Sequence, residues 1–272
     1  MSQSANASSF RELHAPGRIL VLPNAWDAGS ARFIETCGAA AIATTSAGLA
    51  WSKGTPDGNV LSPKVLAAVV AEIARVITVP LSVDFEAGYS SEPQAVAESL
   101  APILDAGAVG INLEDGADSP DLLCAKIGAI KRLAQRMGVD LYVNARTDVH
   151  LKRLVPKERS LDETLARGRK YLAAGADGFF VPALSDRDAI RTVAAEIPIP
   201  LNLLVIPGLA PVAELQALGV RRVSAGSAIT QAVYGLTRQA TLQLLKEGRW
   251  DSLMERALTH PELDRIFSTD SR

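Results

Sequence analysis

Three runs decide the reading of this chain: Ser82-Val-Asp-Phe-Glu-Ala-Gly88, Gly110-Ile-Asn-Leu-Glu-Asp-Gly116 and Tyr142-Val-Asn-Ala-Arg-Thr-Asp148. Each is a short apolar, β-rich stretch that ends in carboxylates or an arginine. Runs of four to eight such residues bounded by turn signals read as buried strands. When neighbouring strand ends deliver acids to one rim, they can hold a divalent cation, and an arginine from the next strand can grip an anion. Any one run alone would more simply be a solvated turn; three with the same grammar point to an active site.

Working outward, the same unit recurs along the chain. Apolar runs fall at Arg18–Leu22, Ala39–Thr44, Leu81–Phe85, Val109–Leu113, Asp140–Asn144, Gly178–Val181, Leu201–Val205 and Arg221–Ser224. Segments of helical period lie between them. Leu61–Val76 places Val65, Leu66, Val69, Val70 and Ile73 on one face, and Leu122–Met137 and Leu161–Ala174 behave alike. Asp105-Ala-Gly-Ala108, Ala174-Gly-Ala-Asp177 and Gln216-Ala-Leu-Gly219 fit helix C-termini that turn into the next strand. Eight β units separated by helices predict a parallel sheet closed into a (β/α)8 TIM barrel spanning residues 1–272 as one domain with a C-terminal helical extension. An open doubly wound sheet would use fewer strands and usually a glycine-rich first turn, whereas this first turn reads Leu22-Pro-Asn-Ala-Trp26. Neither GxGxxG nor GxxxxGK[ST] occurs, so dinucleotide and P-loop readings lack support.

Composition agrees. The chain has 272 residues, of which 48% are apolar, enough for one large core. A net charge of −2 with dispersed signs argues against nucleic acid or an anionic membrane as partner. The two cysteines, Cys37 and Cys124, form no disulfide framework or metal-type pair. Residues 1–15 are polar and Ser-rich, without the apolar core of a secretory signal, and no stretch is apolar enough to span a bilayer. A soluble, cytoplasmic protein is expected. The apolar surplus of the 240–272 tail, including Leu244, Leu245, Trp250, Leu253, Met254 and Leu258, must bury itself along the barrel floor or on another subunit.

Barrel enzymes carry their reactive groups at the C-terminal strand ends. Here these ends hold Asn24, Ser46-Ala47-Gly48, Asp84, Glu86, Glu114, Arg146, Pro182, Asn202 and Ser224. Asp84 and Glu86, two apart on a strand, would both point inward, with Glu114 beside them. Three oxygen donors without a convergent His or Cys suit Mg²⁺, or Mn²⁺, better than zinc. The competing reading pairs these acids with Arg146. Ser46-Ala47-Gly48 could aim backbone N–H groups at a carboxylate. Asp57, in Gly54-Thr-Pro-Asp-Gly58, lies in the connection after the second strand, where active-site loops are common. Pro207-Gly208 and Ala225-Gly-Ser227 offer a phosphate site of the kind many barrels carry, but such a site would not need the three acids.

Thr45-Ser-Ala-Gly48, Thr55-Pro-Asp57, Val83-Asp-Phe-Glu-Ala-Gly-Tyr89, Gly110-Ile-Asn-Leu-Glu-Asp115 and Asn144-Ala-Arg-Thr-Asp148 together resemble, in order and spacing, the isocitrate lyase / phosphoenolpyruvate mutase superfamily across essentially the whole chain. The resemblance implies Mg²⁺ bound through Asp84, with Glu86 and Glu114 acting largely through waters. It also implies a 2-oxo acid or enolate whose carboxylate meets Ser46, Ala47 and Gly48 and whose oxygens meet Arg146, with Asp57 beside the reacting centre. It further implies a homodimer or homotetramer that exchanges its eighth helix between subunits.

The chain departs from the family's lyases at telling points. Their Lys-Lys/Arg-Cys-Gly-His loop is absent; Cys124 falls near the cysteine's place but within a helical apolar pattern, which favours a structural thiol. Their strand-two tyrosine is Thr44 and their strand-six glutamate is Pro182. The mutases' longer lid and strand-six histidine are also missing, and of the three histidines only His150 lies near the strand ends. The expectation is a lyase that cleaves or decarboxylates the C–C bond beside a 2-oxo or 2-hydroxy acid, of the 2-methylisocitrate, dimethylmalate or oxaloacetate kind, through a pyruvate-enolate-like species. Phosphorus–carbon chemistry on phosphonopyruvate or phosphoenolpyruvate, or a barrel that binds a 2-oxo dicarboxylate with little turnover, are the alternatives.

Overall fold

Pro23 closes the molecule. In the computed structural model, which describes residues 2–268, the chain enters the sheet as β1 (Leu20–Leu22) and, one residue later, β2 (Asn24–Ala25). The others are β3 (Ile42–Thr44), β4 (Leu81–Asp84), β5 (Gly110–Glu114), β6 (Tyr142–Arg146), β7 (Gly178–Phe180), β8 (Leu201–Leu204) and β9 (Arg222–Ser224). All pairings are parallel, in the order β1-β9-β8-β7-β6-β5-β4-β3-β2. The sheet's two ends are therefore two halves of one stave, interrupted where proline has no N–H to donate. Its carbonyl still accepts from Ala43 N at 3.2 Å, and Leu22 O accepts from Ala225 N at 3.1 Å. The result is a (β/α)8 barrel, with a strand at each of the eight expected places.

Helices α1 (Gln3–Glu12), α2 (Ala28–Thr36), α3 (Ser46–Ser52), α4 (Pro63–Val76), α5 (Pro93–Asp105), α6 (Pro120–Met137), α7 (Ser160–Ala173), α8 (Arg187–Glu196) and α9 (Val212–Ala217) precede or cross between strands. Local chemistry starts and stops them. Asp27 and Ser30 form a capping box, Ser62-Pro63 and Ser119-Pro120 open α4 and α6, and Gly107, Gly175 and Gly219 end αβ turns at left-handed φ. Alternation then divides the strands' side chains. Val83, Ile111, Leu113, Val143, Phe179 and Leu203 pack outward against Leu66, Val70, Leu100, Ile127 and Ile190 of the helices, while Asn112 and Asn144 bond to each other inside the barrel.

Helix α1 was not legible as a helix, because only Ala7 and Phe10 of its polar sequence are buried. It plugs the N-terminal end of the barrel. Phe10 meets His14 and Tyr142 edge-on at 4.8 and 5.4 Å, and His14 stacks on Tyr142 at 4.3 Å. Gly110 permits this, since a Cβ there would lie 2.6 Å from the Phe10 ring. Arg11 fastens the plug with an ion pair to Asp177 at 2.9 Å and a bidentate contact to Asp140. Residues 46–52, which follow the second predicted strand and for which the sequence predicted no helix, form α3.

The tail does not use the floor. Helix α10 (Ala228–Leu242) leaves the end of β9 and buries only Thr230 and Ala240. A π-helical turn (Gln243–Glu247), α11 (Asp251–Arg256) and α12 (His260–Phe267) follow, and the chain returns to α2, where Arg32 Nε donates to Ile266 O at 3.1 Å. Val21, which points outward from the first stave, stays 52% exposed, as do Leu245 at 75% and Met254 at 65%. Among the described residues no helix is long and apolar enough to cross a membrane.

The plug makes stability depend on pH. His14 is buried, its Nδ1–H donates to Phe10 O at 2.7 Å, and its Nε2 has no partner. Burial, reinforced by Arg222 and Arg11, pushes its pKa from 6.5 down to about 3. Between those values the unfolded chain binds a proton that the folded chain refuses, so the stability His14 contributes is lost as pH falls below 6.5. The loss reaches about 2 kcal/mol by pH 5. Chemical denaturation at pH 7.5 and 5 should show this decrement in the wild type and a smaller one in His14→Phe; equal pH dependence of the two contradicts it.

Candidate active site

At the C-terminal end of the barrel, Asn24, Thr45, Ser46, Ala47, Asp57, Asp84, Asn112, Arg146, Phe180, Pro182, Ser224 and Ser227 line a cavity of about 170 Å³. That is small beside cavities for drug-sized ligands, and suits a compact acid. A larger open groove of about 740 Å³ runs along Val149–Ser160 and holds none of the predicted carboxylates. Ser46, Ala47, Asp57, Asp84 and Arg146 are thus brought together as the sequence predicts.

Asp84 ends β4, where Thr44 Oγ1 accepts its N–H at 2.8 Å. Its Oδ2 accepts from Ser46 N at 3.1 Å, and Oδ1 has no hydrogen-bond partner among the described residues. The Ser46 amide is consequently spent on Asp84 rather than held out to a ligand. Gly48 N donates to Thr45 Oγ1 as a helix cap, at 3.4 Å. Gly48 itself is a packing residue, since a Cβ there would lie 2.6 Å from Thr230 Oγ1. Of the three expected amides, only that of Ala47 remains for a substrate.

Glu86 corrects the alternation argument. β4 stops at Asp84 and Glu86 adopts φ 49, so its side chain leaves the strand's inward series. Its carboxylate accepts from Asn59 N and, at 2.9 Å, from Tyr89 OH. Burial raises its pKa, aided by Asp84 and Asp57 and opposed by those two donors. Glu114 lies 2.6 Å from Arg146 Nη1, the pairing that competed with a metal set in the sequence. Burial, with Asp84 and Asp148 adding to it and Arg146 opposing, pushes Glu114 up to about 7.

Arg146 is held from two sides. Its Nε donates to Asp148 Oδ1 at 2.7 Å, Nη1 faces Glu114, and Nη2 has no protein partner. Burial opposes its charge, but Glu114, Asp148 and Asp84 outweigh it and push its pKa further up. The Phe180 ring lies 5.8 Å from its Cζ. Lys152 Nζ approaches Asp148 Oδ2 at 3.1 Å, an ion pair without hydrogen-bond geometry.

The residue that organises this set is Asp115, which sequence reasoning passed over. Fully buried, it accepts from Thr147 Oγ1 at 2.7 Å, Asp148 N at 2.9 Å, Arg167 Nη1 at 2.8 Å and Tyr171 OH at 2.5 Å. The one available signal was the helical spacing of Arg167 and Tyr171, two polar-headed side chains on the inward face of α7.

Other predicted residues lie elsewhere. Asn202 does not line the cavity; it is buried in the barrel interior, where its Oδ1 accepts from Ser224 Oγ at 3.1 Å. Cys124 is half-buried between α6 and α7, 3.6 Å from Lys170 O, with its thiol pKa raised by burial, then by Asp121. His150 Nε2 lies 3.1 Å from Thr164 Oγ1, and burial lowers its pKa. Neither is a proton donor to the cavity.

Among the described residues no three His, Cys, Asp or Glu side chains converge as a ready cation site. The donor chemistry nevertheless fits a hard cation held by one direct ligand. Asp84 lines the cavity and its Oδ1 has no partner among the described residues, the lining offers oxygen but no imidazole or thiolate, and Glu86 and Glu114 are engaged by protein groups and would reach an ion through water.

Barrel, rim acids and arginine define a class of enzyme, and comparison with known proteins gives the family. The sequence profile of phosphoenolpyruvate phosphomutase matches residues 10–245. A solved structure from Burkholderia cenocepacia, provisionally assigned as a phosphonomutase, superposes with a TM-score of 0.82 at 41% identity, over 87% of this chain and 99% of that one. An oxaloacetate decarboxylase of Bradyrhizobium sp. is 31% identical over 72% of this chain and 69% of its own. A 2-methylisocitrate lyase of Bacillus subtilis is 29% identical over 74% and 67%. The chain belongs to the phosphoenolpyruvate phosphomutase family, within the isocitrate lyase / phosphoenolpyruvate mutase superfamily of lyases and mutases.

Removing the carboxylate of Asp115 leaves Arg167 with Glu163 alone as ion-pair partner, its Nη1 buried and unpaired, and Tyr171 OH and Asp148 N without an acceptor. Breaking a buried ion pair on one side costs about 3–5 kcal/mol. Denaturant unfolding of Asp115→Ala should show a loss of that size, and Asp115→Asn, which keeps part of the network, a smaller one. A loss below about 1 kcal/mol for Asp115→Ala would show that the clamp is not structural.

Proposed function

We propose that this chain is a Mg²⁺- or Mn²⁺-dependent lyase acting on a small 2-oxo or 2-hydroxy acid: it breaks a C–C bond at the carbon next to the carbonyl of a 2-oxo acid, with loss of carboxylate, or the C2–C3 bond at the hydroxyl-bearing carbon of a 2-hydroxy acid. The observation that carries the reading is that Asp84 and Arg146, whose Oδ1 and Nη2 have no hydrogen-bond partner among the described residues, line the same small cavity. A divalent cation at Asp84 would supply Lewis acidity toward the substrate's paired oxygens.

The chain's own residues do the rest. Arg146, kept cationic by its acidic neighbours, stabilises negative charge on the substrate's 2-oxygen: that of the pyruvate-enolate-like species left when a 2-oxo acid loses the carboxylate on its neighbouring carbon, or that of the alkoxide that becomes the carbonyl when a 2-hydroxy acid's C2–C3 bond breaks. Ala47 N–H and Ser46 meet the carboxylate end. Only Asp57 and Asp84 are lining carboxylates; with Asp84 committed to the cation, Asp57 is left to move a proton at the reacting carbon or hydroxyl. Pro182, beside Phe180, offers no donor, and Cys124 is on the outside of the barrel. This set favours cleavages that leave a stabilised anion needing little acid assistance, with oxaloacetate, methyl-substituted malates and 2-methylisocitrate as candidates. Phosphorus–carbon chemistry is the second reading, favoured by the likeness to the Burkholderia structure.

The assembly is also proposed. Helix α10 exposes Val233, Tyr234, Leu236 and Leu242, while outward-facing Val21 lacks a cover. An apolar helix and an uncovered strand on one subunit fit a homodimer or homotetramer in which the eighth helix is exchanged.

Metal titration should show Asp84→Ala abolishing Mg²⁺ binding and Glu86→Ala and Glu114→Ala only weakening it; equal effects would mean the direct ligand is misassigned. Across oxaloacetate, methyl-substituted malates, 2-methylisocitrate and phosphonopyruvate, release of a 2-oxo acid from one of the carbon substrates is expected, with Cys124→Ser retaining most activity. Turnover of phosphonopyruvate alone would move the assignment to phosphorus–carbon chemistry, and turnover of none to a binding protein. Light scattering should give a dimer or tetramer, and a clean monomer at micromolar concentration would refute the exchange.

A further inference from the structure

Among the described residues Arg222 is the largest fully buried side chain, and no carboxylate of theirs hydrogen-bonds or ion-pairs with it. A buried cation without an ionic partner is costly and is kept only where its hydrogen bonds serve something. From inside the barrel it holds two cavity-lining residues at once. Its Nη2 donates to Asn112 Oδ1 at 3.2 Å and its Nε to Ser224 Oγ at 3.2 Å.

These bonds fix which atoms face the cavity. Guanidinium has no acceptor, so the Asn112 atom it touches must be the oxygen. Asn144 Nδ2 donates to that same oxygen at 2.9 Å. The Asn112 amide is therefore pinned by its oxygen from below, and its Nδ2, with no protein acceptor among the described residues, is left on the cavity side. Ser224 differs, because its hydroxyl proton goes to Asn202 Oδ1. In the β4–β5–β6 register, Asn112 stands directly between Asp84 and Asn144, two residues before Glu114 and hence beneath the Glu114–Arg146 pair.

We propose that Asn112 Nδ2 is a substrate-binding donor at the cavity floor, aimed at an oxygen of the bound 2-oxo acid, and that Arg222 is the positioning residue that keeps that donor upward. The inference rests on the functional reading above for the kind of ligand. It adds a neutral donor beside Asp84 and beneath the Glu114–Arg146 pair that rewards a ligand with an oxygen facing the floor. A site built to donate to such an oxygen discriminates strongly against ligands that lack it.

The test is calorimetric binding of oxalate to the full-length protein in saturating Mg²⁺, with thermal unfolding as the control for folding. A hydrogen bond to a charged acceptor corresponds to roughly 10- to 100-fold in affinity, so Asn112→Leu should bind oxalate that much more weakly. Asn112→Asp, nearly isosteric, should fold at least as stably, because its carboxylate pairs with Arg222, yet bind oxalate still more weakly. Arg222→Met should lose a smaller factor, since the donors remain but are free to turn, and Arg222→Lys should recover part of it. Wild-type affinity in both Asn112 variants would overturn this inference and leave the functional reading standing. Wild-type affinity in Arg222→Met would remove the positioning role. A wild-type protein that fails to bind oxalate would overturn the functional reading and this inference together.

Discussion

The site depends on one buried carboxylate. Asp115 closes the end of β5, and its two oxygens hold Thr147 and the Asp148 amide just beyond β6 and the heads of Arg167 and Tyr171 on α7. Its chain neighbour Glu114 and the residue across the sheet, Arg146, form the ion pair at the rim. An acid with four donors in a dry setting has little freedom, and neither do the strand ends it joins. The geometry at which Arg146 meets the cavity is thus inherited from a residue that never reaches it.

Above that clamp the rim is an excess of acid around one arginine. Asp57, Asp84, Glu114 and Asp148 surround Arg146, with Lys152 at the edge. Such a site would repel an anionic substrate unless a cation joined it, and Glu114's pKa is raised first by burial and then by this crowding. The proposed divalent ion would answer that same excess of acid. Below the rim the polarity reverses, with Arg222 buried among neutral amides and hydroxyls. The barrel interior places a fixed positive charge beneath the acids and a cleft above them.

Much of this was legible in the sequence. All eight strands lie where short apolar runs end in turn signals, and Asp84, Arg146, Ser46, Ala47 and Asp57 meet at one cavity because barrel topology carries every strand's C-terminus to the same rim. What was not legible had local causes. Glu86 left the inward series because a left-handed residue ends β4 there, which alternation cannot foresee. Helix α1 hid behind a polar composition, because a plug seated on the barrel's end needs only Ala7 and Phe10 buried. Asn202 is the second residue of β8 and not its last, so it lies below the rim in a filled interior. Asp115 was overlooked because its partners lie 32 to 56 residues away and carry no shared pattern.

The central claim is that a divalent cation binds directly to Asp84 and that a 2-oxo acid shares it with Arg146. Anomalous diffraction from crystals grown with Mn²⁺ and oxalate tests this most directly. The account predicts one strong manganese peak at roughly 2.0–2.2 Å from Asp84 Oδ1, as expected for a small octahedral cation, with oxalate between it and Arg146 Nη2 and water between it and Glu86 and Glu114. A peak ligated elsewhere, or oxalate bound in the cavity with no metal beside Asp84, would contradict it.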